Sequence, residues 1–144
     1  MNKNTEQKAL HLTVNELIFL FTLLAEAMLH GQKSRSRNRI TRILKERVDE
    51  YEVERKGLLE EYGKKDKEGK LVMTPGGGNF VIVDQKRFTK EFEELLDSNV
   101  VIDVLPSNKE DFVVVRDIIL NLQRDFNYQQ GELYESICSK LEKV

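Results

Sequence analysis

Residues 34–62 read SRSRNRITRILKERVDEYEVERKGLLEEY, and this stretch decides the fold. Ile40, Leu44, Val48, Tyr51, Arg55, Leu58 and Tyr62 recur every three or four positions. That spacing brings side chains to one face of an α-helix, and Arg55 is its one charged break. A helix beginning near Ser34 or Ser36 and running to about Tyr62 would be roughly 40 Å long at 1.5 Å per residue. A chain of 144 residues builds too small a core to cover such a helix along its whole length. It is therefore expected to need a partner, either an antiparallel helix or a second copy of the chain.

Outward from the long helix, turn and capping signals divide the rest. Thr13 followed by Glu16 makes a capping box, so a helix is predicted over 15–30 with Gly31 as its C-cap. Leu10 and Leu12 alternate with polar neighbours, which suits a short edge strand over 9–13. On the other side, Gly63 opens the polar segment GKKDKEGK, and the apolar runs 71–73 and 80–83 flank the turn TPGGGN at 74–79. This reads as a β-hairpin at about 70–84 with a flexible tip. Asp84 is placed to cap a third helix carrying Phe88, Phe92, Leu95 and Leu96 and ending near Ser98, and the β-branched run 100–105 suits a strand. After Pro106, Ser107 and Glu110 make a second capping box for a helix bearing Phe112, Val115, Ile119, Leu122 and Phe126. A break at 127–131 then precedes a last amphipathic helix with Leu133, Tyr134, Ile137 and Leu141.

The expected fold class is thus helix-dominated α+β: a long amphipathic helix with a β-hairpin and short strands. One domain over 1–144 is expected, with a helical core at 13–62, the hairpin at about 70–84, a helix–strand segment at 85–105 and C-terminal helices at 107–143. Its length and 40% hydrophobic content suit one core rather than two. Lys+Arg (23) and Asp+Glu (25) nearly cancel, so no global field attracts nucleic acid or an anionic membrane, and an electrostatic partner has to be recruited by a local patch. The single cysteine, Cys138, leaves no internal disulfide and suits a reducing compartment. The polar N-terminus lacks the features of a signal peptide, and the apolar stretch 17–29 is broken by Thr22 and Glu26 and is shorter than the roughly 20 residues of a membrane span. A cytoplasmic protein with no membrane association is expected.

The order of features is similar to that of a known group. LTVNELIFLFTLL (12–24), KSRSRNRITRILKERVDEYEVERKGLLEEYGKKDKEGKLV (33–72), a Gly-rich hairpin and KEFEELLDSNVVIDVL (90–105) together resemble a family of small proteins of unknown function from phages of Gram-positive bacteria. The resemblance covers roughly residues 10–105 and rests on the helix–hairpin–helix layout and on a long helix that is first basic, then acidic. It implies a phage origin, hence the host cytosol, and either counter-defence or virion and genome handling. It carries no catalytic motif, and the last forty or so residues lie outside it.

Charge is segregated along the long helix. Residues 33–42 hold five cations (Lys33, Arg35, Arg37, Arg39 and Arg42) and no carboxylate, whereas 46–61 hold seven acids. At about 100° per residue, Arg35, Arg39 and Arg42 share one sector nearly opposite the apolar stripe, and so are expected to face away from the core. Cations near a helix N-terminus oppose the macrodipole, which is unfavourable unless an anion offsets them. First-turn N–H groups, the Ser34 and Ser36 hydroxyls and planar guanidinium forks all suit phosphate oxygens. Lys33, Ser34, Arg35, Arg37, Arg39 and Arg42 are the candidate ligand-binding residues. The alternative is a solvated basic face, or one paired with the acidic half of a neighbouring long helix.

Other features carry less chemistry. Gly76, Gly77 and Gly78 lack the Lys-Ser/Thr of a phosphate loop and lead into a strand rather than a helix. His11 and His30 have no second ligand at metal spacing, and Cys138 has no histidine nearby in sequence to activate it. The acidic pairs Asp49/Glu50, Glu60/Glu61 and Glu93/Glu94 point about 100° apart on helices and form no dyad. No catalytic residue, metal or cofactor is therefore assigned. The expected function is non-enzymatic binding and sequestration of a small phosphorylated, nucleotide-type ligand by a phage accessory protein in a counter-defence role, the chain associating with itself through the long helix. The alternative is a helical interaction or virion-assembly module, and nucleic-acid binding is the third reading.

Overall fold

The computed structural model describes residues 8–144. Residues 1–7, the first part of the stretch read above for a leader, lie outside the described residues. The fold is helix-dominated α+β, in the order β1 (Ala9–Thr13), α1 (Val14–Glu26), α2 (Gly31–Tyr62), α3 (Gln85–Asp97), β2 (Asn99–Asp103), α4 (Lys109–Leu120) and α5 (Tyr128–Glu142). These elements form two compact units, one from the chain up to Val48 together with Asn99–Val144, the other from Asp49–Ser98. The sequence pointed to one core over 1–144, yet the main apolar cluster takes no residue from 49–98.

In the first unit, β1 pairs antiparallel with β2, Leu10 opposite Ile102 and Leu12 opposite Val100. The two-residue period sends Leu10, Leu12 and Ile102 into the core while His11 and Val101 stay exposed. The chain turns directly into α1 through the expected capping box: Thr13 Oγ1 accepts from Glu16 N (3.1 Å) and the Glu16 carboxylate accepts from Thr13 N (2.9 Å). Leu17, Leu20, Leu23 and Leu24 of α1, Ile40 and Leu44 of α2, Phe112, Val115 and Ile119 of α4 and Ile137 and Leu141 of α5 close the core. Each such side chain removed from water contributes about 1.5–3 kcal/mol before conformational entropy is set against it.

Several helix boundaries differ from expectation for identifiable reasons. Helix α1 stops at Glu26, not near His30, and Gly31 opens α2 with φ +63° instead of capping α1. The carbonyls at the end of α1 are satisfied by a side chain, Arg37 of α2, so no glycine cap is needed there. The Ser107/Glu110 box does not form: α4 is entered from Asn108, whose side-chain oxygen accepts from Leu105 N (2.8 Å). Helix α4 ends at Leu120, leaving Leu122 and Phe126 beyond it but still packed on the core. A capping box not foreseen from sequence, Asn127 with Gln130, starts α5.

The second unit consists of the C-terminal part of α2, the hairpin and α3. Its hairpin forms through single bridges, Met73 with Phe80 among them, rather than as regular strands. Lys64 N donates to Val81 O, Val81 N to Val72 O and Val72 N to Lys64 O, each at 2.8 Å, so three segments meet in a closed ring of backbone hydrogen bonds. Asp84 caps α3 as expected, accepting from Arg87 N (3.2 Å). Phe88 stacks on Phe92 at 5.7 Å and meets Tyr62 edge-on at 6.5 Å, yet no residue of α3 is fully buried.

Candidate functional site

The six candidate residues lie on the first third of α2, and the structure separates them by task. Because α2 begins at Gly31, Ser36 lies inside the helix, and its N–H is not an open first-turn donor. The Ser36 hydroxyl is fully buried and donates to Asp111 Oδ1 of α4 (2.8 Å). Arg39 Nη1 donates to the same oxygen (3.2 Å), with Asp111 itself buried. Arg39 is exposed, as expected of a residue that faces away from the core, and its guanidinium in addition pairs with the Asp111 carboxylate.

Arg37 is also held by the fold. Its Nη1 donates to the carbonyls of Leu24 and Ala27 (2.8 Å each), and its Nε to Asn38 Oδ1 (2.7 Å). A cation at the C-terminal end of α1 meets the negative end of that helix's dipole, a favourable placement. None of these bonds uses Nη2, which carries two of the five guanidinium donors. Lys33, Arg35 and Arg42 are exposed, and Ser34 is half-buried.

Two grooves of the first unit divide the cluster. Lys33 borders one of ≈ 490 Å³ together with Met28, Leu29, Asp117, Ile118 and Leu122. Arg37 and Arg42 share another of ≈ 290 Å³, with Asn38 and Thr41 between them and Lys45 at its side; Phe21 and Ala25 of α1 form its apolar wall. Among the described residues no carboxylate lines this second groove. Arg35 and Arg39 border neither. Phe21, Ala25, Asn38, Thr41 and Lys45 were not singled out from sequence. The signal for them is helical spacing, i,i+4 for Phe21 and Ala25 and a 38–41–42–45 run on α2.

The remaining ionisable groups are built into the fold. Glu16 is buried and accepts from Ser136 and Lys140 of α5 as well as from its own cap at Thr13. Burial alone would raise its carboxyl, but the bonds from Lys140, Ser136 and Thr13 and the charge of Lys140 outweigh it and hold the carboxyl below its ordinary value. Burial pushes the Cys138 thiol up, away from the thiolate a nucleophile would need. Burial likewise lifts the Tyr134 phenol to about 12, and its hydroxyl donates to Ile119 O (2.5 Å). Among the described residues no group of three or more His, Cys, Asp or Glu side chains is placed to hold a metal ion, and no helix is long and apolar enough to cross a membrane.

Comparison with protein families, with curated proteins and with solved structures finds no match to this chain.

Proposed function

We propose that the protein captures a small phosphorylated, nucleotide-type ligand in the groove between α1 and α2 and holds it without chemistry. One observation carries this reading: Arg37 and Arg42 line a single groove that, among the described residues, holds no carboxylate, and Arg37 is already oriented by three hydrogen bonds. A guanidinium fixed before the ligand arrives loses little conformational freedom on binding, and paired donors suit phosphate oxygens. The site is thereby narrowed to Arg37 and Arg42 with Asn38, Thr41 and Lys45. Arg39 and Ser36 support α2 from behind. The resemblance to phage proteins extends the proposal to a counter-defence role, in which a phage accessory protein withdraws a host nucleotide signal.

Titration calorimetry with a nucleoside monophosphate tests it. Arg42 is exposed and engaged in no ion pair among the described residues, so Arg42→Glu is expected to leave the circular dichroism spectrum unchanged and weaken binding by about 100-fold, the scale of losing one charge-assisted contact and gaining a repulsive one. Undiminished binding by Arg42→Glu would sink the proposal. Charge reversal at Arg39 is the poorer test, since it also leaves Asp111 facing a like charge.

A second reading, a helical interaction or assembly module, is favoured by α3. Its apolar side chains Phe88, Phe92, Leu95 and Leu96 line one face, and none of them is fully buried. On that reading Phe92→Glu lowers the mass of an oligomer, while Arg42→Glu changes no ligand uptake.

A further inference from the structure

We infer that the occupant of the α1–α2 groove is a single mononucleotide unit, with its base against Phe21 and Ala25 and its phosphate on Arg37 and Arg42. This rests on the phosphate-capture reading above and adds that the ligand is one nucleotide unit and which wall of the groove holds each of its halves. The groove has two unlike walls. Its cationic wall on α2 needs an anion, while its apolar wall on α1 gains nothing from one. Phe21 is half-buried against the core, and inorganic phosphate or a sugar phosphate would leave its groove-lining part and the Ala25 methyl in water. An aromatic base covers the part of Phe21 that lines the groove together with the Ala25 methyl. Ala25 sits one helical turn after Phe21 and is small, so the wall beside the ring stays open to a planar group.

Size limits the ligand further. At ≈ 290 Å³ the groove lies at the lower edge of small-molecule sites, which run from about 300 to 1,000 Å³. That is room for one base and one phosphate, in a groove that is open to solvent on its outer side. Orientation follows from the fixed parts. Arg37 Nη2 is directed by bonds to the end of α1, and Arg42 stands five positions further along α2, so the phosphate is gripped from two points on one helix.

The test compares adenosine 5′-monophosphate, ribose 5-phosphate and inorganic phosphate by calorimetry on the full chain and on Phe21→Leu, Ala25→Leu and Arg42→Glu. Stacking on one aromatic side chain predicts that wild type prefers the nucleotide over ribose 5-phosphate by about tenfold or more. Phe21→Leu should bring that ratio close to one with ribose 5-phosphate affinity retained. Ala25→Leu, at an exposed helical position, should do the same by filling the base site, which guards against a folding defect in the Phe21 variant. Arg42→Glu should weaken both ligands together. Equal affinity for the nucleotide and ribose 5-phosphate in wild type, or a ratio unmoved by both wall variants, overturns the base assignment and leaves phosphate capture standing. Failure of all three probes to bind overturns phosphate capture itself.

Discussion

Glu16 closes the cap of α1 and at the same time receives Ser136 and Lys140 from α5. The first task is legible in the sequence, because a capping box lies within four consecutive residues; the second joins positions 120 and 124 apart, which no local pattern announces. Its carboxyl is lowered in the folded chain, so it adds stability above the ordinary value of 4.5 and loses that contribution as pH falls through the folded value. Glu16→Gln is expected to cost about 2 kcal/mol at neutral pH in urea unfolding. The gap from wild type should then narrow as the pH drops below 4.5; a gap independent of pH would contradict the assignment. The basic cluster follows the same division. That 33–42 is rich in cations was plain, but Ser36 and Arg39 answer to Asp111, 75 and 72 positions away, and Arg37 answers to backbone carbonyls, so their roles could not be read locally. Asp111→Ala strands a buried hydroxyl and a guanidinium, and should destabilise the chain by about 1–3 kcal/mol. Asp111→Asn, which keeps an acceptor for Ser36, should cost less in the same measurement.

At the scale of elements, long periodic segments were the most legible. The α2 stripe holds at Ile40, Leu44, Tyr51 and Tyr62, though Leu59 rather than Leu58 is the deeper residue at the far end. Both short strands were found, but their mutual pairing was not, since β1 and β2 are separated by most of the chain. The hairpin at 70–84 was expected as two partners, and the structure adds a third, Gly63–Lys65, because the Lys64 N–H and C=O reach different arms. Gly63 is required at that junction. A Cβ there would fall on the Leu59 carbonyl oxygen and the Leu71 side chain, and a backbone carbonyl cannot move aside without unwinding the last turn of α2. Gly63→Ala should therefore cost about 1–3 kcal/mol. The effect should appear in hydrogen exchange as faster opening of amides within 49–98, with the core amides of β1, α1, α4 and α5 unchanged.

At the scale of the molecule, composition suggested one core, because 40% hydrophobic residues cannot reveal how they divide. The first unit collects side chains that are almost wholly buried, whereas the deepest apolar residues of the second, Tyr51, Leu59 and Tyr62, retain 7–9% exposure. Fewer fully buried contacts mean a lower free energy of local opening. Amides of 49–98 should accordingly exchange ahead of those in the first unit's core, and thermal unfolding should depart from a single two-state transition. Near-neutral net charge at this scale conceals the segregation along α2, which is why the functional reading rests on one groove rather than on the whole surface.

Phosphate capture in that groove is tested most directly by native mass spectrometry of wild type and Arg42→Glu, each purified without added nucleotide and then titrated with adenosine 5′-monophosphate. The account predicts a ligand-bound mass for wild type, one phosphorylated molecule per groove and released on denaturation, and its loss in Arg42→Glu. Bare masses for both proteins throughout the titration, or equal loading of the two, would contradict it.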